Sequence, residues 1–402
     1  MRVLFVASGW ATHYMAMVPL AWALRAAGHD LRIAAQPSMH PVIVRSGMPC
    51  VSVGRDVDFA SVRRRTLPYE RNADNRPKTA EDVRKAAEAD EGGLFRAWNE
   101  ATTASLDDTV AFARAFTPDL VVGDTMAPAA LVAARAVGAL GVRHLWGPDI
   151  LGSPGGERVL DVLPGYWEQF ARHAVERPDG DPAHRTVSPC PPSLRLPASP
   201  GLLPMRWVPY NGSGGVPDES AKTSERPRVL VTWGTSTTGV ADSAGPGVPD
   251  VLEALRGLDA EVIVTVTAAE RSGIGPQPAG VRVLENAPLH LLLPGASLIV
   301  HQGGFMTALS AAYHGVPQLL IPQLPNQLSD AEHLVRAGVA RSVSAAEVTG
   351  GGLQAAARDM IGPGHHADAA ARVRQEIAGQ PAPREVARTL EDLVSAGTPH
   401  GG

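Results

Sequence analysis

The chain has 402 residues, of which 44% are hydrophobic and 19% charged, with a net charge of −5. That length predicts two domains, because single cores seldom grow beyond ~250–300 residues. The acidic balance and the lack of a long basic run argue against nucleic-acid binding through bulk charge. No run approaches the ~18 apolar residues of a membrane-spanning helix. Cys50 and Cys190 are the two cysteines; they give neither a disulfide framework nor metal-ligand spacing, which fits a reducing cytoplasm.

Residues 3–7 read as a buried parallel strand. A signal peptide is the rival reading, but the apolar run is short and a helix ending follows at Arg25-Ala26-Ala27-Gly28-His29. Residues 13–27 form that helix, with Gly28 as its C-cap. Strands are expected at 31–35 and 50–53. The rhythm predicts a parallel sheet with right-handed crossovers. It breaks over residues 55–93, read as a long polar loop that is either a lid or a solvated insertion. It resumes with a helix at 94–116, a strand at 119–124, a helix at 127–137 closed by Gly138, and a strand at 142–146.

Residues 198–215 are rich in Pro and Gly, and the polar stretch 216–227 reads as a linker. A second strand–helix rhythm starts at Arg228, with strands near 261–267, 281–284, 298–300 and 318–321. The division is then an N-terminal domain of residues 1–215 and a C-terminal domain of residues 228–380. A last helix within 381–402 is placed to pack back on the first domain. The fold class is α/β: two facing, doubly wound, Rossmann-like domains. Ligands of such sheets bind at the carboxyl ends of strands. His13, Asp124, the loop at 234–236 and the loop at 301–307 all lie at such ends.

The stretch His301-Gln302-Gly303-Gly304-Phe305-Met306-Thr307 joins an apolar strand to an Ala-rich helix. Such a turn presents free backbone N–H groups at a helix start, an anion site suited to a diphosphate. The two glycines allow close approach of the backbone, and His301 adds a side-chain donor. His13 suits general-base work, since imidazole titrates near neutral pH; a capping or surface role is open to it as well. Asp124 can steady that imidazole or cap the next helix, where Thr125 competes.

The segments resemble the family 1 glycosyltransferases of the GT-B fold, in particular the actinomycete enzymes that decorate antibiotics. The resemblance runs over nearly the whole chain. It is carried by Val18-Pro19-Leu20-Ala21-Trp22 through Gly28-His29 and by Met205-Arg206-Trp207-Val208-Pro209-Tyr210-Asn211-Gly212. It continues through Pro288-Leu289-His290-Leu291-Leu292-Leu293-Pro294, the loop at 301–307 and Gly315-Val316-Pro317-Gln318-Leu319-Leu320-Ile321-Pro322.

The resemblance implies inverting transfer of a deoxysugar from a nucleoside diphosphate, expected to be TDP, to a hydroxyl of a hydrophobic natural product. His13 would be the base and Asp124 its partner. Donor contacts would come from Thr235, Ser236, Asn286, Ala287, Leu289, His301, Gly303, Gly304, Thr307, Asn326 and Gln327. Trp10, Met15, Met17, Trp98 and Trp146 are the candidates to line the acceptor pocket, with core packing the competing role for at least half of them.

The nucleotide sugar is a co-substrate, so no cofactor is expected, and no acidic pair calls for a metal. A homodimer is left open. Three positions depart from the family pattern. Met306 stands where a further glycine is common, Asn286 where an aromatic is common, and Asn326-Gln327 replaces an Asp-Gln pair. The amide points either to a donor with altered hydroxyls, such as a deoxy or amino sugar, or to a neutral substitution without meaning for the substrate. Rival readings are a nucleotide-sugar epimerase on the same fold, a non-catalytic binding homologue, and a dinucleotide oxidoreductase. The last is disfavoured because residues 8–13 lack G-x-G-x-x-G.

Overall fold

The computed structural model describes residues 1–58, 61, 85, 88, 94–149, 161, 163–196, 201–218, 225–234, 245–277 and 280–397. The N-terminal sheet holds β1 (Arg2–Val6), β2 (Asp30–Ala35), β3 (Cys50–Ser52), β4 (Leu120–Asp124), β5 (Leu140–His144), β6 (Arg185–Ser188) and β7 (Leu202–Pro204). Every pairing is parallel, in the order β3-β2-β1-β4-β5-β6-β7. Its helices are α1 (Ala11–Ala26), α2 (His40–Arg45), α3 (Leu94–Thr103), α4 (Leu106–Phe116), α5 (Ala129–Val137) and α6 (Tyr166–Arg172).

The second sheet is also parallel, in the order β10-β9-β8-β11-β12-β13. Its strands are β8 (Arg228–Thr232), β9 (Glu261–Val266), β10 (Val281–Glu285), β11 (Leu298–His301), β12 (Gln318–Leu320) and β13 (Ala340–Ser342). Helices α7 (Val248–Ala254), α8 (Ala268–Arg271), α9 (Leu289–Leu292), α10 (Phe305–His314) and α11 (Pro325–Arg336) lie between strands. Then come α12 (Ala345–Thr349), α13 (Gly352–Met360), α14 (His365–Gly379) and α15 (Pro383–Ser395). None of the described helices is long and apolar enough to cross a membrane.

The central strands are apolar on both faces because helices cover both sides. Val3, Leu4, Phe5 and Val6 of β1 are buried, as are Leu120, Val121 and Val122 of β4. Strand order reverses between β1 and β4 in the first sheet and between β8 and β11 in the second. Those are the switch points at which open parallel sheets form ligand crevices.

Residues 94–116 form two helices rather than one. The break at Ala104–Ser105 lies against Gly54, where a Cβ would come within 2.2 Å of the Ala104 carbonyl oxygen. Short α2, β6, β7 and β13 add to the expected elements. Most of residues 55–93, read as a loop, lies outside the described residues.

Helix α15 packs across α1, and Val386, Ala387 and Leu390 complete the N-terminal core. His29 Nε2 meets Glu391 Oε1 at 2.7 Å. The Arg206 N–H donates to the Pro381 carbonyl at 2.7 Å.

Candidate active site

Asp124 is the last residue of β4, and His13 lies in the first turn of α1, directly after β1. The two are brought to 3.4 Å, His13 Nδ1 to Asp124 Oδ1. That is longer than a formed charge-assisted bond, as is common for such pairs before substrate arrives. Asp124 is held on its other sides. The Ser8 N–H donates to Oδ2 at 2.8 Å and the Met126 N–H to Oδ1 at 2.6 Å. Burial pushes the carboxyl upward, but His13 and these donors outweigh it, so its pKa lies below the ordinary value. Asp124 is therefore a fixed, ionised acceptor. It does not cap α5, whose N-cap position is Pro128. Ser8 was hidden in the sequence because it contributes only a backbone donor.

Two indoles lie near the His13 ring. Trp146 stacks on it at 4.5 Å between centroids and 18° between planes, while Trp10 is tilted at 6.2 Å. Met15 lines the cleft beyond. Met17, expected beside it, is fully buried in the N-terminal core. Helix α1 is packed on nearly all sides, so its sequence carries little amphipathic signal. Trp98 lies in α3, and its side chain is outside the described residues.

On the opposite domain, Gly303 has φ +95°, a conformation that favours glycine. A Cβ there would come within 3.3 Å of the Gln327 carbonyl oxygen. This turn delivers the chain into α10, with Gly304 at the N-cap. The first N–H groups of α10 have no partner within the helix and lie at its positive end. Met306 and Thr307 of that first turn line the cleft. Thr235 and Ser236 lie outside the described residues; Gly234, just before them, lines the cleft.

His301 departs from expectation. It is fully buried, its Nε2 lies 3.0 Å from Gln318 Oε1, and its Nδ1 accepts the Gly303 N–H at 3.1 Å. Both ring nitrogens are engaged, so His301 shapes the turn and presents no donor to a phosphate. Gln327 departs likewise. Its Oε1 accepts the N–H groups of Gln323 and Leu324, at 2.9 and 3.0 Å, at the start of α11. Asn326 is exposed beside it. Neither residue is among those lining the cleft.

Asn286, Ala287 and Leu289 do line the cleft. Asn286 adopts φ +50°, which asparagine tolerates and an aromatic does not. Three bonds hold this turn, one of them from the Asn286 N–H to the Val266 carbonyl at 2.8 Å. Thr265 Oγ1 donates to the Ala287 carbonyl at 3.0 Å, and the His290 N–H donates to Asn211 Oδ1 at 3.2 Å. The cleft between the domains measures about 540 Å³, within the usual range for ligand sites. Thr12 and Met15 border it from α1, and Arg45 borders it from α2.

His144 went unnoticed in the sequence. It pairs in register with Asp124, is fully buried, and has its Nδ1 2.8 Å from the Leu145 carbonyl. Burial pushes the pKa of both His144 and His301 down from 6.5 to about 4. Both rings are neutral in the folded protein. The unfolded chain takes up these protons near pH 6.5, the folded chain only near pH 4. Stability from this source is complete above pH 6.5 and falls as pH drops towards 4, by about 3 kcal/mol per ring. Urea midpoints at pH 7 and pH 5 test this. Equal midpoints would mean that the rings ionise freely in the native state.

Two facing parallel-sheet domains that open on a shared cleft are the GT-B architecture of glycosyltransferases. The chain belongs to the glycosyltransferase family described as Erythromycin biosynthesis protein CIII-like: the N-terminal domain matches residues 22–234 and the C-terminal domain residues 249–393. It is 34% identical to the TDP-daunosamine transferase DnrS of Streptomyces peucetius, over 98% of this chain and 97% of that one. It is 33% identical to the 10-deoxymethynolide desosaminyltransferase of Streptomyces venezuelae, with the same coverage. Among solved structures, the glycosyltransferase VinC in complex with dTDP superposes with a TM-score of 0.78. That match has 29% identity and covers 99% of this chain and 100% of that one.

Proposed function

We propose that the protein transfers a deoxysugar from TDP to a hydroxyl of a hydrophobic natural product, with inversion at the anomeric carbon. One observation carries the reading. Thr12 and Met15, on either side of His13, and Met306 and Thr307, at the start of α10, border one cleft. The helix that carries the base and the helix start that forms the anion site then border one space, of a size for a nucleotide sugar. The names of the relatives support the donor class: one is a TDP-daunosamine transferase and another was solved with dTDP.

In this reading the acceptor hydroxyl approaches from the N-terminal side. Its oxygen attacks the anomeric carbon as the bond to the diphosphate oxygen breaks. The hydroxyl proton passes to His13 Nε2, because Nδ1 faces Asp124. Asp124 stabilises the imidazolium that forms. The leaving diphosphate is met by the N–H groups and positive end of α10. The nucleoside extends towards Asn286, Ala287 and Leu289. Both cysteines are free thiols, in keeping with a reducing cytoplasm.

A thermal-shift series tests the donor class. TDP is expected to raise the melting temperature more than UDP, ADP or GDP at equal concentration. Binding to the native state alone stabilises it by mass action. Equal or absent shifts with TDP and UDP would overturn the reading.

A further inference from the structure

The indole of Trp146 is placed where an acceptor wall was expected, yet its closest ring partner is the candidate base. It stacks on His13 at 4.5 Å and 18°. It also packs against an apolar cluster that spans the domains and includes Ala16 of α1, Trp207, Phe305 and Met306. The next residue, Gly147, lies flat against the Phe305 ring, where a Cβ would come within 3.3 Å. Phe305 is the first residue of α10, at the donor turn. The chain 146–147 thus touches the base through one residue and the donor turn through the next. The long Nδ1–Oδ1 separation of 3.4 Å leaves Asp124 alone a loose restraint on the imidazole.

We propose that Trp146 is a positioning residue for His13. Its indole holds the imidazole in plane, stabilises the imidazolium by its π face, and ties the base to the donor turn through Gly147 and Phe305. The proposal rests on the reading of His13 as general base. It also gives Phe305 a use that no phosphate contact requires: its bulk fills the space between the two halves of the site.

The experiment compares Trp146→Leu, Trp146→Met and Trp146→Phe with the wild type, in steady state with a TDP-sugar and a turned-over acceptor. An aliphatic side chain loses the stack, and kcat is expected to fall about tenfold while both KM values stay within about threefold. Phenylalanine keeps a π face and is expected to recover most of kcat. The thermal shift with TDP, unchanged in each variant, shows that the fold and donor site are intact. Where Leu fails this control, Met carries the comparison.

Four outcomes overturn the proposal. One is a rise in acceptor KM with kcat unchanged, which makes Trp146 an acceptor wall. Another is a loss of kcat that phenylalanine does not repair. The third is full turnover by His13→Ala, which removes the general-base reading itself and this proposal with it. The fourth separates the two failures: turnover lost in His13→Ala but unaffected in Trp146→Leu leaves the base in place and discards the indole.

Discussion

His13→Ala is expected to lower kcat by roughly 10²–10⁴-fold, the usual contribution of a positioned general base. The effect should fall on turnover and leave TDP binding intact, because the ring lies on α1 and the nucleotide is assigned to the opposite domain. His13 is only 14% exposed in its side chain. The exposed remainder is the part available to an acceptor. Asp124 provides the internal check. Asp124→Asn keeps the shape but removes the charge that stabilises the imidazolium, so kcat should fall by a similar order. The double variant should then be scarcely worse than either single one, since residues that act as a unit do not add. Initial rates with a radiolabelled sugar give both numbers. A His13→Ala enzyme within about threefold of wild type would show that another group, or bulk water, takes the proton.

Met306→Asp should weaken TDP binding by roughly a hundredfold. Met306 is the second residue of α10 and lines the cleft. A carboxylate in a first helical turn is favourable to the helix itself, so the variant should fold. Its charge would then face the diphosphate. A dianion and a carboxylate ~6 Å apart, at an effective dielectric between protein and water, repel by about 3 kcal/mol, which is that hundredfold. Met306→Gln has similar size and no charge, and should bind within about threefold of wild type. Titration calorimetry at low salt measures the difference. Equal affinity for the Asp and Gln variants would remove the diphosphate from this turn.

Much of the architecture was legible in the sequence because its signals are local. The apolar runs of β1, β4, β8 and β11 need no partner to be recognised. Gly28, Gly138 and Gly315 mark helix ends by their left-handed backbone. His13 and Asp124 were found by their place at strand ends, 111 residues apart by number, and the fold brings them to 3.4 Å. What failed depended on where a side chain spends its hydrogen bonds. His301 looked like a donor to phosphate, but Gln318 and the Gly303 N–H occupy its nitrogens. Gln327 was read as a sugar contact; the fold uses its oxygen at the start of α11 as well. Met17 looked accessible because no sequence pattern reveals that α1 is enclosed by the sheet, by Met39 and Ile43 and by α15 together. Such choices are made by tertiary neighbours that no local spacing encodes.

The path of α15 sets an order on synthesis. Three residues of the N-terminal core, Val386, Ala387 and Leu390, are the last of that core to leave the ribosome. Until they do, the groove beside α1 is an open apolar surface, and a nascent N-terminal domain must wait for the rest of the chain to be made. The partner of His29, Glu391, arrives equally late. A chain ended at residue 380 should therefore carry an intact second sheet beside a loosened first one. Pulse proteolysis should cut it within the first 215 residues well before it cuts the remainder. Equal resistance of the two halves would mean that the N-terminal domain closes its core without help. The arrival of α15, and not that of either sheet, is then the event that closes the N-terminal core.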